Sequence, residues 1–374
     1  MKIVMVSNYM NLHQVTFCDQ IYSLTNGQFN FISTNPISSF RMDLGYQNMD
    51  QSREYIVASY ESDNNLRNAL KLCEEADVLI IGNVEKHFRI KPNKKQVVFY
   101  YSERLFKNDR DLLRNIVRYI KYSLRHHKYK NSFLLCASAY ACKDYQITGN
   151  FKGRSFKWGY FPCIKKYSID DIIKQKKNHP PRIVWVGRLI NWKHPELAIQ
   201  VADHLRKKNI IFEMEIIGSG ELEGSLKELI TNQKLESCVK LLGSLRQDEI
   251  RQHMEKANVF LFTSDENEGW GAVVNEAMNS ACAIIACVEA GSVPYLVDDE
   301  CGKVFHKWDI SALFSFCEGM LLDLDLTTMM GIASYNKIIN IWNGEIAAKR
   351  LMKMIKAIQL SNTLIFENGP CSPA

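Results

Sequence analysis

Two glutamates with a glycine-containing segment between them are well suited to binding a ligand rich in hydroxyl groups. Glu268 precedes the sequence Gly-Trp-Gly in ENEGWGAVVNEAM, residues 266–278, and Glu276 follows eight positions later. A carboxylate accepts two hydroxyl hydrogen bonds, so each glutamate can hold a vicinal diol of a sugar. The alternative is that both acids are only favoured near the start of a helix by its dipole.

The glycines between these glutamates predict an anion site. The run VFLFTS is typical of a strand, and a helix is expected to begin near Gly271 or Ala272 and to run through Ser280. The amides of residues 269–272 are then unpaired donors at the helix N-terminus, where the dipole favours an anion. The segment therefore suits a ligand with phosphates in the middle and a sugar at each end, which is the layout of a nucleotide-diphosphate sugar.

Two cations offer a second contact to the same phosphates. Arg188 and Lys193 lie in VGRLINWKHPE, residues 186–196, between a predicted strand and a predicted helix. Cations held at a strand end can clamp a diphosphate and stabilise it as it leaves. The alternative is a pair of solvated surface charges.

Parallel strands are the elements expected to position these side chains. Short apolar or aromatic runs alternate with helical patterns in both halves of the chain, which predicts an α/β fold with helices on both faces of each sheet. Ligands of such sheets bind at the carboxyl ends of the strands. The predicted organisation is a first domain over 1–165, a linker over 166–181, a second domain over 182–340, and a helix with a loose tail over 341–374.

Four motifs in the second half resemble a known family. VGRLINWKHPELAI, IIGSGEL, VKLLGSL and ENEGWGAVVNEAMNSACAIIA are similar to the donor domain of a family 4 glycosyltransferase of the GT-B fold, over about residues 182–305. The resemblance implies two Rossmann-like, doubly wound parallel-sheet domains that face a central cleft, with a C-terminal helix that packs back toward the first domain. It also implies sugar transfer with retention at the anomeric carbon, without a metal or another cofactor.

The resemblance implies a role for each matching residue. Arg188 and Lys193 bind the diphosphate of the donor, and Glu268 binds hydroxyls of the transferred sugar. Glu276 binds the ribose diol. The other donor-binding residues are Gly269, Trp270 and Gly271, through their amides, and Leu245, which lies where the family often contacts the base.

The first half of the chain departs from the family pattern. Many relatives carry a glycine pair in the first loop, but here that loop, SNYMNLHQ, contains His13 and no glycine. His13 can reach the acceptor or donor sugar, or it caps and packs against the adjacent helix. Glu103, in YYSERLFK, can orient or partly deprotonate an acceptor hydroxyl, or it forms an ion pair with Arg104 or Lys107.

A basic segment over residues 111–131, DLLRNIVRYIKYSLRHHKYKN, places apolar residues on one helical face and cations beside it. Such a helix can lie on an anionic membrane surface, where each cation contributes about 1 kcal/mol. The alternative is a helix that turns its apolar face to the core. Nucleic acid is not expected as a partner, because no stacking platform or known reader motif accompanies the charges. The membrane-binding candidates are Arg114, Arg118, Lys121, Arg125 and Lys128.

The composition argues against several other classes. The sequence contains no run of eighteen apolar residues, so no transmembrane helix is predicted. The N-terminus is typical of a first strand and not of a signal peptide. The eleven cysteines are scattered without a CxxC pair, as in a reduced cytoplasmic protein. The local spacing of His and Cys predicts no metal site.

These observations predict a retaining glycosyltransferase. It would move a hexose-type sugar from a nucleotide-diphosphate sugar to a lipid-linked or polysaccharide acceptor in the biosynthesis of a surface glycan such as capsule or O-antigen. It would act in the cytoplasm or on the inner face of the membrane. The alternatives are a different enzyme of the same fold, either a nucleotide-sugar epimerase or a phosphorylase, and a subunit that binds the nucleotide-sugar without turnover.

Overall fold

The chain folds into two units, each built on one parallel sheet. Unit 1 comprises Met1–Cys163 together with Trp342–Ala374, and unit 2 comprises Ile164–Ile341. The computed structural model describes residues 1–39, 42, 48–50, 52–85, 87–107, 112–126, 131–362 and 364–374. Within 112–126, the described side chains are those of 113 and 115–123.

Unit 1 contains a seven-stranded parallel sheet. Its strands are β1 (Ile3–Ser7), β2 (Phe29–Ser33), β3 (Ile56–Ala58), β4 (Val78–Ile81), β5 (Val97–Ser102), β6 (Ser132–Cys136) and β7 (Ser155–Lys157). Its first helices are α1 (Leu12–Leu24), α2 (Asp63–Glu75), α3 (Leu112–His126) and α4 (Ala141–Ile147). The strand order is β3-β2-β1-β4-β5-β6-β7, and every neighbouring pair is parallel.

Unit 2 contains a six-stranded parallel sheet in the order β10-β9-β8-β11-β12-β13. These strands are β8 (Arg182–Val186), β9 (Glu213–Ile217), β10 (Val239–Gly243), β11 (Val259–Phe262), β12 (Ala283–Cys287) and β13 (Gly302–Phe305). The helices of this unit are α5 (Ile169–Lys177), α6 (Glu196–Lys207), α7 (Glu223–Asn232), α8 (Gln247–Lys256), α9 (Ala272–Asn279), α10 (Val293–Leu296), α11 (Ile310–Leu322) and α12 (Leu324–Asn340).

The central strands are buried on both faces, which explains their continuous apolar sequences. Every residue of β4 (VLII), β11 (VFLF) and β12 (AIIAC) is buried. A parallel sheet covered by helices on both faces requires such runs, whereas a half-solvated sheet would show alternation of apolar and polar residues. The apolar runs seen in the sequence therefore form the cores of two doubly wound sheets.

The segment predicted as a linker, residues 166–181, carries a helix of unit 2 instead. Helix α5 begins after Ser168, whose side chain accepts a hydrogen bond from the amide of Asp171, and it buries Ile172 and Lys176. A serine cap followed by acids in the first turn favours a helix start. This local signal outweighed the basic, proline-containing composition of the surrounding segment.

The C-terminal segment of unit 1 packs on its first helix and first sheet. Helix α13 (Gly344–Gln359) lies so close to α1 that a Cβ at Gly344 would be 2.7 Å from the amide nitrogen of Phe17. The tail beyond Leu360, expected to be loose, pairs with the edge strand β7: Lys157 N donates to Ser372 O at 2.7 Å. An edge strand has unpaired backbone groups, and the tail satisfies them.

The sheet of unit 2 gathers four loops at one edge. Because its strands are parallel, the loops that follow β8, β9, β10 and β11 all leave from the carboxyl ends of adjacent strands. These loops contain Arg188, Ser219, Leu245 and Glu268. Ligands of doubly wound sheets bind at the carboxyl ends of the strands, so a binding site is expected at this edge.

Candidate functional site

Lys193 and Glu268 form an ion pair at the carboxyl edge of the unit 2 sheet. Lys193 Nζ lies 2.5 Å from Glu268 Oε2, and the two side chains are only 12% and 13% exposed. Lys193 ends a 3₁₀ turn, Asn191–Lys193, that follows β8, whereas Glu268 lies in the loop after β11. Since β8 and β11 are neighbours in the sheet, side chains 75 positions apart in the sequence meet.

The two loops that carry this ion pair are fixed against each other. Thr263 Oγ1 donates to Lys193 O at 2.6 Å and accepts a 2.9 Å hydrogen bond from the buried Trp185 Nε1. Asp265 N donates to Trp192 O at 3.1 Å. The lysine and the glutamate are therefore presented on a packed base and not on free loops, which favours a well-defined site.

Arg188 lies beside Lys193 through a shared aromatic ring. The guanidinium carbon of Arg188 is 5.8 Å from the centroid of Trp192, and Lys193 Nζ is 4.8 Å from it. Arg188 is exposed. Both distances fall in the range of cation–π contacts, so the indole holds the two cations near one another.

A glycine in the motif IIGSGEL allows the loop after β9 to approach the Arg188 loop. Gly218 has φ +141°, and a Cβ there would lie 1.8 Å from the carbonyl oxygen of Gly187. Any side chain at this position would push the two loops apart. The motif therefore has a structural function at the edge of the site, and it needs no contact with ligand to explain it.

The segment between the two glutamates starts a helix as the sequence predicts. Helix α9 begins at Ala272, and Gly271 before it has φ +89° and ψ 62°, a left-handed conformation. A Cβ at Gly271 would lie 2.5 Å from Phe262 Cζ. The amides of Gly269, Trp270 and Gly271 are thus brought to the N-terminus of a helix, where an anion is favoured.

The side chain of Trp270 is part of the core and not of the ligand surface. It is 1% exposed, and its Nε1 donates to Asn275 Oδ1 at 2.9 Å. The carbonyl oxygens of Glu268 and Trp270 accept hydrogen bonds from Gly291 and Ser292 of the loop after β12. These contacts hold the backbone of the loop, so only its amides and the Glu268 side chain remain as candidate ligand contacts.

Glu276 is the fifth residue of α9 and is held by a glutamine that the sequence analysis missed. Gln247 Nε2 donates to Glu276 Oε1 at 2.9 Å. Gln247 begins α8, two positions after the half-buried Leu245. Its position just after the motif VKLLGSL is a signal that points to the same edge, but nothing in the local spacing links it to Glu276.

In unit 1, His13 and Glu103 come together through Tyr160. Tyr160 Oη donates to Glu103 Oε1 at 2.6 Å, and its ring stacks with that of His13, with centroids 6.0 Å apart and planes 15° apart. Burial raises the pKa of Tyr160, so the phenol stays protonated as a donor. Lys107 Nζ lies 2.7 Å from Glu103 Oε2, so the ion pair considered as the alternative for Glu103 is present.

Helix α3 exposes its apolar face. The alternative of a face turned to the core is wrong for the four described apolar residues of that face, because each is roughly half exposed or more. Their exposed fractions are 78% for Leu113, 48% for Ile116, 64% for Val117 and 53% for Ile120. Exposed apolar side chains that share one helical face form a candidate surface for binding a membrane or another protein.

The cations of this helix are described only in part. Arg118 Nη1 donates to the carbonyl oxygen of Leu105 at 3.0 Å, and Lys121 is exposed. The side chains of Arg114 and Arg125, and Lys128 as a whole, lie outside the described residues. The described part of the helix therefore places two of the five predicted cations.

The described residues contain neither a metal-binding cluster nor a membrane-spanning helix. Within the described ranges, no group of three or more His, Cys, Asp or Glu side chains is arranged to hold a metal ion. No helix of that same part of the chain has the length and apolarity needed to cross a bilayer. Independence from metal stays a prediction.

Comparison with known proteins finds a family match within unit 2. Residues 168–335 match the model of "Glycosyl transferases group 1". The amylovoran biosynthesis glycosyltransferase AmsK of Erwinia amylovora is 28% identical over 192 residues, which is 50% of this chain and 47% of that protein. The putative colanic acid biosynthesis glycosyltransferase WcaL of Escherichia coli K12 is 26% identical over 186 residues, 48% of this chain and 46% of that one. The chain thus spans about half the length of these curated relatives.

Solved structures show the fold of the whole chain. HepE of Anabaena, crystallised with UDP, superimposes with a TM-score of 0.69 over 96% of this chain and 100% of that one, at 14% identity. The four residues most closely tied to the carboxyl edge, Arg188, Lys193, Glu268 and Glu276, all lie inside the matched segment. Residues 168–335 are thus similar to the group 1 glycosyl transferases, and the two Rossmann-like units have the GT-B fold.

Proposed function

We propose that this protein is a retaining glycosyltransferase that moves a hexose-type sugar from a nucleotide-diphosphate sugar to a lipid-linked or polysaccharide acceptor in surface-glycan biosynthesis. The observation that carries the proposal is the Lys193–Glu268 ion pair at the carboxyl edge of the unit 2 sheet. It supplies a cation for a diphosphate and a carboxylate for sugar hydroxyls at one point, inside the segment that matches the family model.

Donor binding exchanges the partners of this ion pair. The diphosphate takes the place of Glu268 as the anion beside Lys193, and Arg188 contributes the second cation. The released Glu268 carboxylate then accepts hydrogen bonds from hydroxyls of the hexose. Because a buried charge without a partner is costly, an exchange that leaves both groups paired is favoured over one that strands either of them.

The nucleotide end of the donor lies along the other strands of the edge. Glu276, oriented by Gln247, binds the ribose diol, and Leu245 contacts the base. The amides of Gly269 and Gly271, at the start of α9, contact the phosphates and the sugar. The assigned residues follow β8, β10 and β11, whose carboxyl ends lie at the same edge of the sheet.

In the proposed reaction the bond from the anomeric carbon to the diphosphate breaks, and a bond from the acceptor oxygen forms on the same face. A phosphate oxygen of the leaving group takes the acceptor proton. Negative charge grows on the diphosphate as it leaves, so the largest contribution of the protein is electrostatic stabilisation by Lys193 and Arg188. This step requires no metal.

The residues proposed to contact the acceptor are His13, Glu103 and Tyr160 of unit 1. Glu103 accepts a hydrogen bond from Tyr160 at Oε1 and forms an ion pair with Lys107 at Oε2, so both of its oxygens are fixed in place. A carboxylate held in this way can orient an acceptor hydroxyl by accepting its proton in a hydrogen bond. His13, stacked on Tyr160, forms a wall of the same cluster.

Helix α3 supports a membrane-bound acceptor. Four apolar side chains are exposed on one face, and the sequence places cations beside them. Apolar side chains inserted into the interface and cations over anionic headgroups are the two contributions that hold such a helix on a bilayer. A protein held there would meet a lipid-linked acceptor at the surface where that acceptor is anchored.

Transfer is tested by release of nucleoside diphosphate. UDP-, GDP-, ADP- and dTDP-sugars are first screened by thermal shift, since a ligand at 100 times its Kd stabilises the folded state by about 2.7 kcal/mol. With the donor so identified, we expect nucleoside diphosphate to appear only when a polyprenyl-linked or free oligosaccharide acceptor is added. An epimerase would instead convert the donor sugar without any acceptor.

The matched pair of variants for this assay is Glu268→Ala and Glu266→Ala. Glu266 lies in the same loop but forms an ion pair with Lys307, at 2.5 Å, and not with Lys193. We expect Glu268→Ala to abolish transfer and Glu266→Ala to retain it. Full transfer by Glu268→Ala would contradict the proposed site.

Membrane binding is tested by co-sedimentation with vesicles of phosphatidylglycerol and phosphatidylcholine. The double variant Leu113→Ser/Val117→Ser should bind less than the parent protein, and its exposed positions make loss of folding a minor concern. Ile211→Ser in unit 2, equally exposed at 78%, is the control and should bind as the parent does. Equal binding by the double variant and the control would overturn the membrane assignment.

A further inference from the structure

His194, which directly follows Lys193, has a left-handed backbone conformation that is uncommon for residues other than glycine. Its φ and ψ are 50° and 51°, the left-handed region, at the end of the 3₁₀ turn Asn191–Lys193. A residue with a Cβ is strained there, and such strain persists only where the surroundings enforce it. Strain at the residue next to a proposed ligand-binding lysine raises the question of what holds it and to what end.

Both ring nitrogens of His194 are engaged by carboxylates from different elements. Nδ1 lies 3.0 Å from Glu196 Oε1, at the start of α6, and Nε2 lies 3.2 Å from Asp265 Oδ2, in the loop after β11. The hydrogen bond to Asp265, then that to Glu196, raises the pKa of His194 to about 9. At neutral pH the ring is therefore an imidazolium that donates from both nitrogens.

Asp265 is in turn fixed to the loop that carries Glu268. Its Oδ1 accepts hydrogen bonds from the backbone N and the side-chain Nδ2 of Asn267, at 2.8 and 2.9 Å. Glu268 N donates to Asp265 O at 3.0 Å. Burial raises the pKa of Asp265, but the hydrogen bonds from His194 and Asn267 outweigh that effect and lower it overall. The carboxylate that faces the imidazolium is thus charged.

We infer that His194 is a positioning residue, whose charged ring ties the Lys193 turn to the Glu268 loop and so presents Lys193 to the diphosphate of the donor. The inference rests on the proposed role of Lys193 and extends it to a side chain that touches no ligand. The carboxylates that contact the ring are those of Glu196 and Asp265, and the preceding residue, Lys193, is paired with Glu268.

The pH dependence has a definite sign. Because the pKa of folded His194, about 9, lies above the ordinary value near 6.5, the stability that its charged contacts contribute is fully present below about pH 6.5 and is lost as pH rises through 9. The titration is followed by NMR in protein labelled with carbon-13 histidine, and the His194 resonance is identified by its absence from the spectrum of His194→Asn. We expect its titration midpoint near 9, and a midpoint near 6.5 would overturn the inference.

Diphosphate binding is measured with inorganic pyrophosphate by calorimetry, because that probe is independent of base and sugar. His194→Asn keeps a side chain that tolerates the left-handed region but removes the charge, and His194→Gly removes both ring and strain. His204→Asn is the control: it removes a contact of similar length, 2.9 Å between His204 Nε2 and Glu318 Oε2, in the last turn of α6.

We expect both His194 variants to bind pyrophosphate about tenfold more weakly at pH 7, and the control to bind as the parent does. Between pH 7.5 and 10 the parent should lose more affinity than His194→Asn. The titration of pyrophosphate itself is common to all variants and cancels in that difference. Parent-like affinity in His194→Gly at pH 7, or equal pH slopes in the parent and His194→Asn, would refute the positioning role.

Turnover separates this inference from the proposed function. With a true donor and acceptor, His194→Asn should lower kcat more than it raises the KM of the donor, since the tie matters most while Lys193 stabilises the leaving group. If pyrophosphate binding follows the expected pattern but no sugar is transferred, the proposed function fails and the role of His194 stands. If transfer occurs and His194→Asn leaves its pH profile unchanged, the role of His194 fails alone.

Discussion

Breaking the Lys193–Glu268 ion pair from one side at a time tests both the stability and the function assigned to it. Lys193→Met and Glu268→Gln each remove one charge while keeping most of the side-chain volume. The partner then remains in a place where the two side chains are only 12% and 13% exposed. The double variant removes both charges and leaves no unpaired ion, so the three variants with the parent form a complete cycle.

The expected magnitude follows from the geometry. At 2.5 Å and an effective dielectric constant of about 20, two unit charges attract by roughly 7 kcal/mol before the lost hydration is subtracted. Removing one member of a buried pair typically costs about 3–5 kcal/mol. We therefore expect each single variant to lower the free energy of unfolding of unit 2 by about 3 kcal/mol, with a coupling energy of about 2 kcal/mol between the two.

The assay is urea unfolding followed by tryptophan fluorescence, which reports mainly on unit 2 because four of the six tryptophans lie there. A matched control is the pair Lys337–Asp298, which has the same 2.5 Å separation but exposed fractions of 17% and 53%. Solvent weakens such a pair, so the cycle Lys337→Met/Asp298→Asn should give a coupling below about 1 kcal/mol.

Turnover completes the test. Lys193→Met should lower kcat by roughly a hundredfold or more and raise the KM of the donor far less, because the cation matters most as charge develops on the leaving diphosphate. Two results would refute the reasoning: a coupling energy for Lys193 and Glu268 no larger than that of the control pair, or an unchanged kcat with only a raised KM.

Three further predictions concern single positions. Gly271→Ala should lower the free energy of unfolding by about 2 kcal/mol or more, measured in urea, because φ is +89° and the added Cβ would meet Phe262 at 2.5 Å; a change below 0.5 kcal/mol would contradict the described turn. Gln247→Ala should raise the KM of the nucleotide-sugar roughly tenfold with kcat nearly unchanged, because Glu276 loses the group that orients it; a lower kcat at constant KM would argue against ribose binding. Glu103→Gln should reduce acceptor-dependent turnover and leave donor binding in the thermal-shift assay intact; weaker donor binding would place Glu103 at the donor instead.

The sequence predicted the central strands and missed short edge strands. Runs such as VLII and VFLF are recognisable because burial on both faces demands continuous apolar residues. By contrast β3, β7 and β13 are three or four residues long and partly exposed, so they leave no such run. The tail beyond Leu360 was expected to be loose for a related reason: its fit to β7 depends on an edge that only the folded sheet creates.

Helix α3 shows another limit of prediction from sequence. The spacing of Leu113, Ile116, Val117 and Ile120 establishes that they share a face. It cannot establish whether another element covers that face, because burial depends on contacts far along the chain. The structure leaves these side chains exposed, which removes the core-facing alternative for them.

The candidate site divides in the same way. Arg188, Lys193, Glu268 and Glu276 were identified because each follows a recognisable strand or starts a recognisable helix, so their location at one edge depends only on strand order. Partner choice is different. Contacts such as His194 with Asp265, or Gln247 with Glu276, join residues 71 and 29 positions apart, and no local pattern indicates them.

The ion pair itself has a consequence that the motifs alone do not suggest. The proposed roles give Lys193 and Glu268 two different parts of one donor, whereas in the structure they bind each other. A ligand that supplies only a sugar leaves Lys193 without an anion. A ligand that supplies only a diphosphate leaves the Glu268 carboxylate without a hydrogen-bond donor. Since either outcome strands a nearly buried charge, the pair favours a ligand that carries both groups at the right separation. On the proposed assignment we therefore expect an intact nucleotide-diphosphate sugar to bind more tightly than its fragments.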